Sequence, residues 1–280
     1  MYRFIKFPGF KNKVLTFSYD DGARQDKRLV KILQKNGLKG TFNLCSGMFS
    51  KEYTGEEKGA MTQQEALELY PAAGMEVAVH GHRHLSLTEV PSAMALDDIL
   101  TDRKLHEAVF GGVIQGMAYA NGAYNDEVVD LLKKSGINYA RAASSTGTFA
   151  LPTDWLRWQP TCHHKDERLM ELAKAFVETP QHWYYWCRDL KLFYVWGHSY
   201  EFDNDNNWDC IEEFAAYMAG REDIWYATNG EIYEYLQAAS RLEFSVDGRY
   251  VKNPTCIDIY VDMLDEKRII PAGKTVKILD

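Results

Sequence analysis

The sequence predicts an α/β fold in which parallel strands alternate with crossover helices. Two observations carry that prediction: short β-rich runs recur along the chain, and most are followed by a segment whose apolar residues fall at helical spacing. A third bounds it, because 280 residues lie near the upper limit for one hydrophobic core, enough for a barrel with a small appendage.

The strand candidates are 14–19, 40–44, 75–80, 114–119, 138–141, 192–196 and 224–227, seven in all. Leu29, Ile32 and Leu33 give a helical stripe before Gly37, Thr62 and Glu65 make a capping-box pattern, and Ser92 is the expected cap of the next helix. Val128, Leu131 and Leu132 then share one helix face before Gly136.

From Ser144 to Arg188 the regularity gives way to a stretch holding Trp155, Trp158, His163, His164, His182, Trp183 and Trp186, with a helix expected near 166–177. An insertion of this length is expected to serve function. After a helix around 231–239, runs at 242–246, 256–261 and 276–279, separated by Asp247-Gly248 and Pro271-Ala272-Gly273, predict a small β appendage.

Lys and Arg are outnumbered 32 to 40 by Asp and Glu, and the net charge of -8 opposes a nucleic-acid partner. No apolar run approaches the ~20 residues that cross a bilayer. The opening MYRFIKFPGFKNK has neither the apolar stretch nor the small-residue cleavage site of a signal peptide, so a soluble, cytoplasmic protein is expected. Cys45, Cys162, Cys187, Cys210 and Cys256 are odd in number and form no CxxC pair, which predicts reduced thiols, mostly in the core.

Three segments carry chemistry. Ser18-Tyr19-Asp20-Asp21-Gly22 sets two carboxylates at the end of an apolar strand, although Asp-Gly is also a common turn. His80-Gly81-His82-Arg83-His84 follows another strand, and imidazoles four apart converge on one ion if the backbone between them turns. Tyr194-Val195-Trp196-Gly197-His198-Ser199 places a third histidine just past a strand. Asp20, Asp21, His80 and His198 thus all fall at the C-terminal ends of parallel-strand candidates, the shared face on which β/α barrels build active sites.

These residues resemble the polysaccharide deacetylases, the NodB-homology group or carbohydrate esterase family four. The opening motif, Thr or Ser, an aromatic, then Asp-Asp-Gly, stands as Ser18-Tyr19-Asp20-Asp21-Gly22; the second, His-Ser/Thr-x-x-His, stands as His80-Gly81-His82-Arg83-His84, with Gly81 where a hydroxyl residue is usual. The resemblance implies a distorted (β/α)7 barrel over residues 1–240, leaving a small C-terminal β appendage over 241–280. It implies a metal-dependent hydrolase that removes an N-acyl group, acetyl by family habit, from an amino sugar. Asp20 would be the general base, Asp21, His80 and His84 the metal ligands, and His198 the general acid. One divalent ion is implied, with zinc the default and cobalt, nickel or manganese tolerated by the same ligands.

The family's third motif, Arg-x-Pro-Tyr, is replaced by Met117-Ala118-Tyr119-Ala120-Asn121-Gly122, so Arg141 at the next strand end is expected to supply the missing charge beside the base. Tyr119 and Asn121 are expected to contact substrate. Asp154-Trp155 resembles the fourth motif, whose aspartate orients the catalytic histidine and whose tryptophan walls the groove. His82, His163 and His164 fit either substrate or metal contacts or a polar rim. The segments 196–201 and 225–230 are similar to those of an atypical bacterial branch. Two alternatives remain open at this stage: hydrolysis of a non-sugar amide on the same barrel, and carbohydrate binding without turnover.

Overall fold

The computed structural model describes residues 4–52, 58–179, 189–263 and 266–278. The chain begins with β1 (Ile5–Lys6) and β2 (Lys13–Asp20), and then runs α1 (Asp26–Lys35), β3 (Gly40–Leu44), α2 (Gln63–Leu69), β4 (Glu76–Val79), α3 (Ser92–Phe110), β5 (Gly116–Ala118), α4 (Asp126–Lys134) and β6 (Tyr139–Arg141). It continues through β7 (Cys162–His163), α5 (Leu169–Glu178), β8 (Lys191–Gly197), α6 (Tyr200–Asn204), α7 (Trp208–Met218), β9 (Ile224–Tyr226) and α8 (Asn229–Ser240).

The α/β expectation is met by a parallel sheet in the order β6-β5-β4-β3-β2-β8-β7. The sheet curls until its ends meet: the Trp158 amide, just before β7, donates to the Ala140 carbonyl of β6 at 3.0 Å, and the Ala142 amide donates to the Trp158 carbonyl at 2.9 Å. This distorted barrel is the (β/α)7 architecture, with one member different from expectation. The run at 224–227 lies beside Lys13–Leu15 of β2, sharing the edge that β3 takes further along. The ring is completed instead by the segment around β7, inside the irregular stretch. Two residues of strand carry no periodicity to read, so this strand was not legible. His182, Trp183, Trp186 and Cys187 lie outside the described residues.

Strand alternation sorts the side chains. Leu15, Phe17 and Tyr19 of β2 pack outward in one core with Leu29, Val30 and Leu33 of α1 and Ile211, Phe214 and Ala215 of α7. Thr16, Ser18 and Asp20 face the other way, into the barrel, where Thr16 donates to Asn229 (3.0 Å) and Ser18 accepts from Asn43 (2.8 Å). All eight residues of β2 are buried, as befits a parallel strand covered on both faces. The inner face of β2 is therefore polar toward its upper end, where Asp20 emerges.

The Thr62–Glu65 capping box forms as expected. Ser92 is not a cap: Pro91 takes that place, and the Ser92 hydroxyl donates to Glu127. Of the cysteines, Cys45 and Cys162 are buried, whereas Cys256 is exposed.

Beyond α8, β10 (Glu243–Phe244), β11 (Tyr250–Lys252), β12 (Ile259–Met263), β13 (Glu266–Ile270) and β14 (Thr275–Lys277) form two small antiparallel sheets. One of them recruits β1, which pairs with β12 through Ile5 opposite Val261. Ile5, Phe7, Tyr235, Leu236, Ile259 and Val261 share a core, so the first strand of the chain is packed with the last ones and with α8.

Candidate active site

Four of the expected chemical residues stand at the C-terminal ends of barrel strands. Asp20 ends β2, His80 follows β4, Arg141 ends β6 and His198 follows β8. Asp21 would point outward by strand alternation, but its backbone is left-handed (φ 77°), which returns its carboxylate to the same side as that of Asp20. His84 is also left-handed (φ 53°). Non-glycine residues in this region carry strain that persists where surrounding structure enforces it.

Asp21, His80 and His84 form one donor group. Nε2 of His80 and Nε2 of His84 each lie 3.5 Å from Oδ1 of Asp21. The Nδ1 of His80 lies 2.9 Å from the Ala118 carbonyl, which can only accept, so Nδ1 carries a proton and Nε2 is the ring nitrogen that faces the Asp21 carboxylate. Asp21 Oδ1 is buried and has no hydrogen-bond partner among the described residues. Burial, with His80 beside it, holds the His84 imidazole below its ordinary pKa, in its neutral form. Two imidazole nitrogens beside a buried carboxylate oxygen without a hydrogen bond among the described residues are a donor set that suits a divalent transition ion. The Cys45 sulfur lies within 4.8 Å of the Asp21 and His80 donors. Burial and the nearby carboxylates push its thiol far above the ordinary range, which makes it a poor ligand.

Asp20 is held separately. Its Oδ1 accepts from Asn43 Nδ2 at 2.8 Å, and its Oδ2 accepts from Arg141, whose guanidinium sits 4.4 Å over the Trp196 ring. Burial opposes ionisation of this carboxyl, but Arg141, His80 and His198 together outweigh it and hold the group below the usual carboxylate range. Arg141 thus reaches the carboxylate it was expected to reach, from one strand away.

His198 presents Nε2 to both carboxylates, 3.8 Å from Asp20 Oδ2 and 4.0 Å from Asp21 Oδ2. Burial alone would lower its pKa, but the contact with Glu201 and the charges of Asp20 and Asp21 raise it above the ordinary value. The carboxylate at His198 Nδ1 is Glu201, at 3.2 Å. This corrects the role expected for Asp154, which accepts instead from the Arg157 guanidinium and from the Leu156 amide at 2.9 Å.

Three further expectations are also corrected. Trp155 packs edge-on against Trp158 and Tyr233, in the core that includes α8, and among the described tryptophans it is Trp196 that lies at the site, under the Arg141 guanidinium. Tyr119 is buried and its hydroxyl donates to the Leu156 carbonyl at 2.7 Å. Asn121 is exposed and donates to the Ser86 hydroxyl. Neither side chain extends into the carboxylate and imidazole cluster. Of the open histidines, His82 meets Ser46 at 2.9 Å, while His163 and His164 gather around Glu201 at 3.2 and 3.4 Å.

Helix α3 supplies a support that sequence reading missed. Asp102 accepts from the backbone amides of Ser46 (2.6 Å), His80 (3.0 Å) and Gly81 (2.9 Å), while Asp98 accepts from the Arg83 amide and Nε. A Cβ on Gly81 would lie 2.8 Å from Asp98 Oδ2, and φ at Gly81 is +89°. The departure from the family's hydroxyl residue is therefore matched by a carboxylate in the adjoining space. The available signal was Asp98, Asp102 and His106, spaced four apart on one helix face and all buried.

Residues 8–140 match the family model described as polysaccharide deacetylase. Among solved structures, a protein from Mycobacterium smegmatis named for the polysaccharide deacetylases is similar at 18% identity, over 84% of this chain and 94% of that one, with a TM-score of 0.59. That likeness shows the fold. The family 4 carbohydrate esterase from Streptomyces lividans, solved with acetate, gives 17% identity over 76% of this chain and 91% of that one, with a TM-score of 0.48. The Streptococcus pyogenes deacetylase PplD, also solved with acetate, gives 17% identity over 46% of this chain, a TM-score of 0.42, and 55% coverage of its own length. No curated protein matches the sequence. Residues 8–140, which bring Asp20, Asp21, His80 and His84, are thus similar to the polysaccharide deacetylases, and the barrel that continues them shares the fold of the Mycobacterium smegmatis protein.

Proposed function

We propose that this protein is a metal-dependent hydrolase that removes an N-acyl group, acetyl by its likeness to the polysaccharide deacetylases, from an amino sugar of a polysaccharide or glycoconjugate. The observation that carries the reading is the unpartnered Oδ1 of Asp21 between two imidazole nitrogens at 3.5 Å, beside a separate carboxylate held ionised. Asp21, His80 and His84 would hold a divalent ion, and such an ion supplies acidification of water and polarisation of an acyl oxygen.

The remaining steps belong to the chain's own side chains. Asp20, kept ionised by Arg141 and oriented by Asn43, takes the proton of the attacking water as its oxygen adds to the acyl carbon. His198, whose raised pKa favours the imidazolium, gives its Nε2 proton to the amine as the carbon–nitrogen bond breaks. Atoms balance: water and amide become a carboxylic acid and a free amine. The contact between Arg141 and Asp20 removes the chief sequence ground for drift toward non-sugar amides, because the charge missing from the third motif is present in space. The convergence of base, ligands and acid also disfavours a purely binding role.

The test is a metal-replete assay of acetate release from N-acetylated chitooligosaccharides and peptidoglycan fragments, run beside small cyclic amides. Release from the sugars, abolished by Asp20→Asn, is the expected result. Hydrolysis of the cyclic amides alone would replace the sugar by another amide, and no hydrolysis of either would remove the catalytic reading.

A further inference from the structure

His198 is followed within one turn by Glu201, at the start of α6, and the glutamate folds back onto it. Glu201 Oε2 lies 3.2 Å from both the amide nitrogen and Nδ1 of His198, so one carboxylate oxygen fixes the backbone and the ring of the same residue. The glutamate is itself gripped from the other side. His163 Nε2 is 3.2 Å from the same oxygen, and the Lys165 ammonium lies 3.2 Å from Oε1 and 2.7 Å from Asp205. His164 completes the pocket, stacked between Tyr19 at 5.6 Å and Phe202 at 4.2 Å, with Nε2 at 3.4 Å from Glu201.

The donor atoms of His163, His198 and Glu201 lie within 4.8 Å of one another, a spacing that also suits a metal. Proton positions decide between the two arrangements. The Lys165 amide donates to His163 Nδ1 at 3.1 Å, which makes that nitrogen the acceptor and leaves the ring proton on Nε2, pointing at Glu201. A metal would need a lone pair where this proton stands, and it would meet the Lys165 ammonium on the same carboxylate. The cluster is a hydrogen-bonded chain, His163 to Glu201 to His198, ending at the face of Asp20.

We propose that Glu201 is the positioning residue of His198, receiving its Nδ1–H so that Nε2 faces Asp20 and the departing amine, while His163 holds Glu201 in place. The role expected for the Asp-Trp motif is thereby carried out from within the same strand end as the histidine, by a residue three positions on. This inference rests on the reading of His198 as the group that protonates the amine.

The experiment compares the full-length wild type with Glu201→Gln, Glu201→Ala, His198→Ala and the double variant His198→Ala/Glu201→Gln, each checked for metal content and folding by circular dichroism. Glu201→Gln keeps the shape and removes the charge, and should lower kcat about 10²- to 10³-fold with KM within about threefold, as for other residues that orient a catalytic imidazole. The double variant should be no slower than His198→Ala, because the two residues act as a unit. Nitrogen NMR of labelled histidines should show the bonded Nδ1–H of His198 in the wild type and lose it in Glu201→Ala. A Glu201→Gln enzyme with wild-type kcat, or losses that multiply in the double variant, would overturn the inference. A wild type that releases no acid from any amide would overturn the proposed function instead, and the NMR signature would still decide for or against the Glu201–His198 bond.

Discussion

At the scale of single residues, the site separates two neighbouring carboxylates into two roles by their surroundings. Asp20 has a guanidinium and a carboxamide on its oxygens, whereas Asp21 leaves a buried oxygen facing two imidazoles. Arg141→Met should therefore lower kcat on the order of 10²-fold or more, since it strips the partner from a buried charge and leaves the base uncompensated. Steady-state kinetics at saturating metal check this, and turnover within about threefold of wild type would remove Arg141 from the account. Asp154→Asn, by contrast, should leave kcat within about twofold, because that side chain serves Arg157 and the Leu156 amide. The residues proposed as metal donors, base and acid could be picked out in the sequence because three strand-end motifs coincided. Glu201 was not, because a glutamate three residues past a histidine has no distinguishing pattern until α6 turns it back. Trp155 misled for the opposite reason: a tryptophan beside an aspartate reads alike whether it walls a groove or fills a core, and here it packs on Trp158 and Tyr233.

At the scale of elements, the loop after β4 that carries His80 and His84 is shaped by α3, whose Asp98 and Asp102 accept from its backbone amides. Three backbone amides converge on Asp102, so Asp102→Asn should weaken divalent-ion affinity about 10- to 100-fold, the usual cost of disturbing groups that orient ligands. Calorimetric titration with zinc measures it, and unchanged affinity would show that the loop holds its shape unaided. Gly81→Ser should also impair the loop, since a left-handed backbone and the Asp98 oxygen both reject a side chain there. Restoring the family's usual residue would thus weaken the site, an outcome that sequence comparison alone would reverse. Most strands were readable from apolar runs, whereas β7 was not, because two residues between loops acquire their strand character only from pairing with Val195 and Trp196 of β8. Tertiary context, not local propensity, makes that strand.

At the scale of the whole molecule, charge burial and the joined ends of the chain govern stability. Asp26 is fully buried, and burial, with Asp21 and Asp20 nearby, raises its pKa from 3.8 to about 7. The folded state therefore binds this proton more tightly than the unfolded chain. The associated stability is complete below about pH 4 and is lost as pH rises toward about 7. Asp26→Asn keeps an acceptor for the Tyr70 hydroxyl and removes the buried charge, so it should stabilise the fold by on the order of a few kcal/mol at about pH 8, seen as a raised Tm, while changing Tm little at about pH 4. Thermal unfolding across that range tests it, and equal shifts at both ends would contradict the burial account. We also propose that residues 241–280 fold onto the barrel as its closing clasp, because Ile259 and Val261 share a core with Ile5, Phe7 and Tyr235. The β appendage was visible in the turn pattern of the sequence. Its union with β1 was not, since no local signal links residues more than 250 positions apart.

The central claim is that Asp21, His80 and His84 bind one divalent ion on which amide hydrolysis depends. Elemental analysis of the purified wild type and His84→Ala, with acetate release from N-acetylated oligosaccharides measured before and after chelation, tests it most directly. About one equivalent of a transition ion is expected in the wild type. His84→Ala should lose that ion, and acetate release should fall on chelation and return when the ion is restored to the wild type. Acetate release that survives both chelation and His84→Ala would contradict the claim.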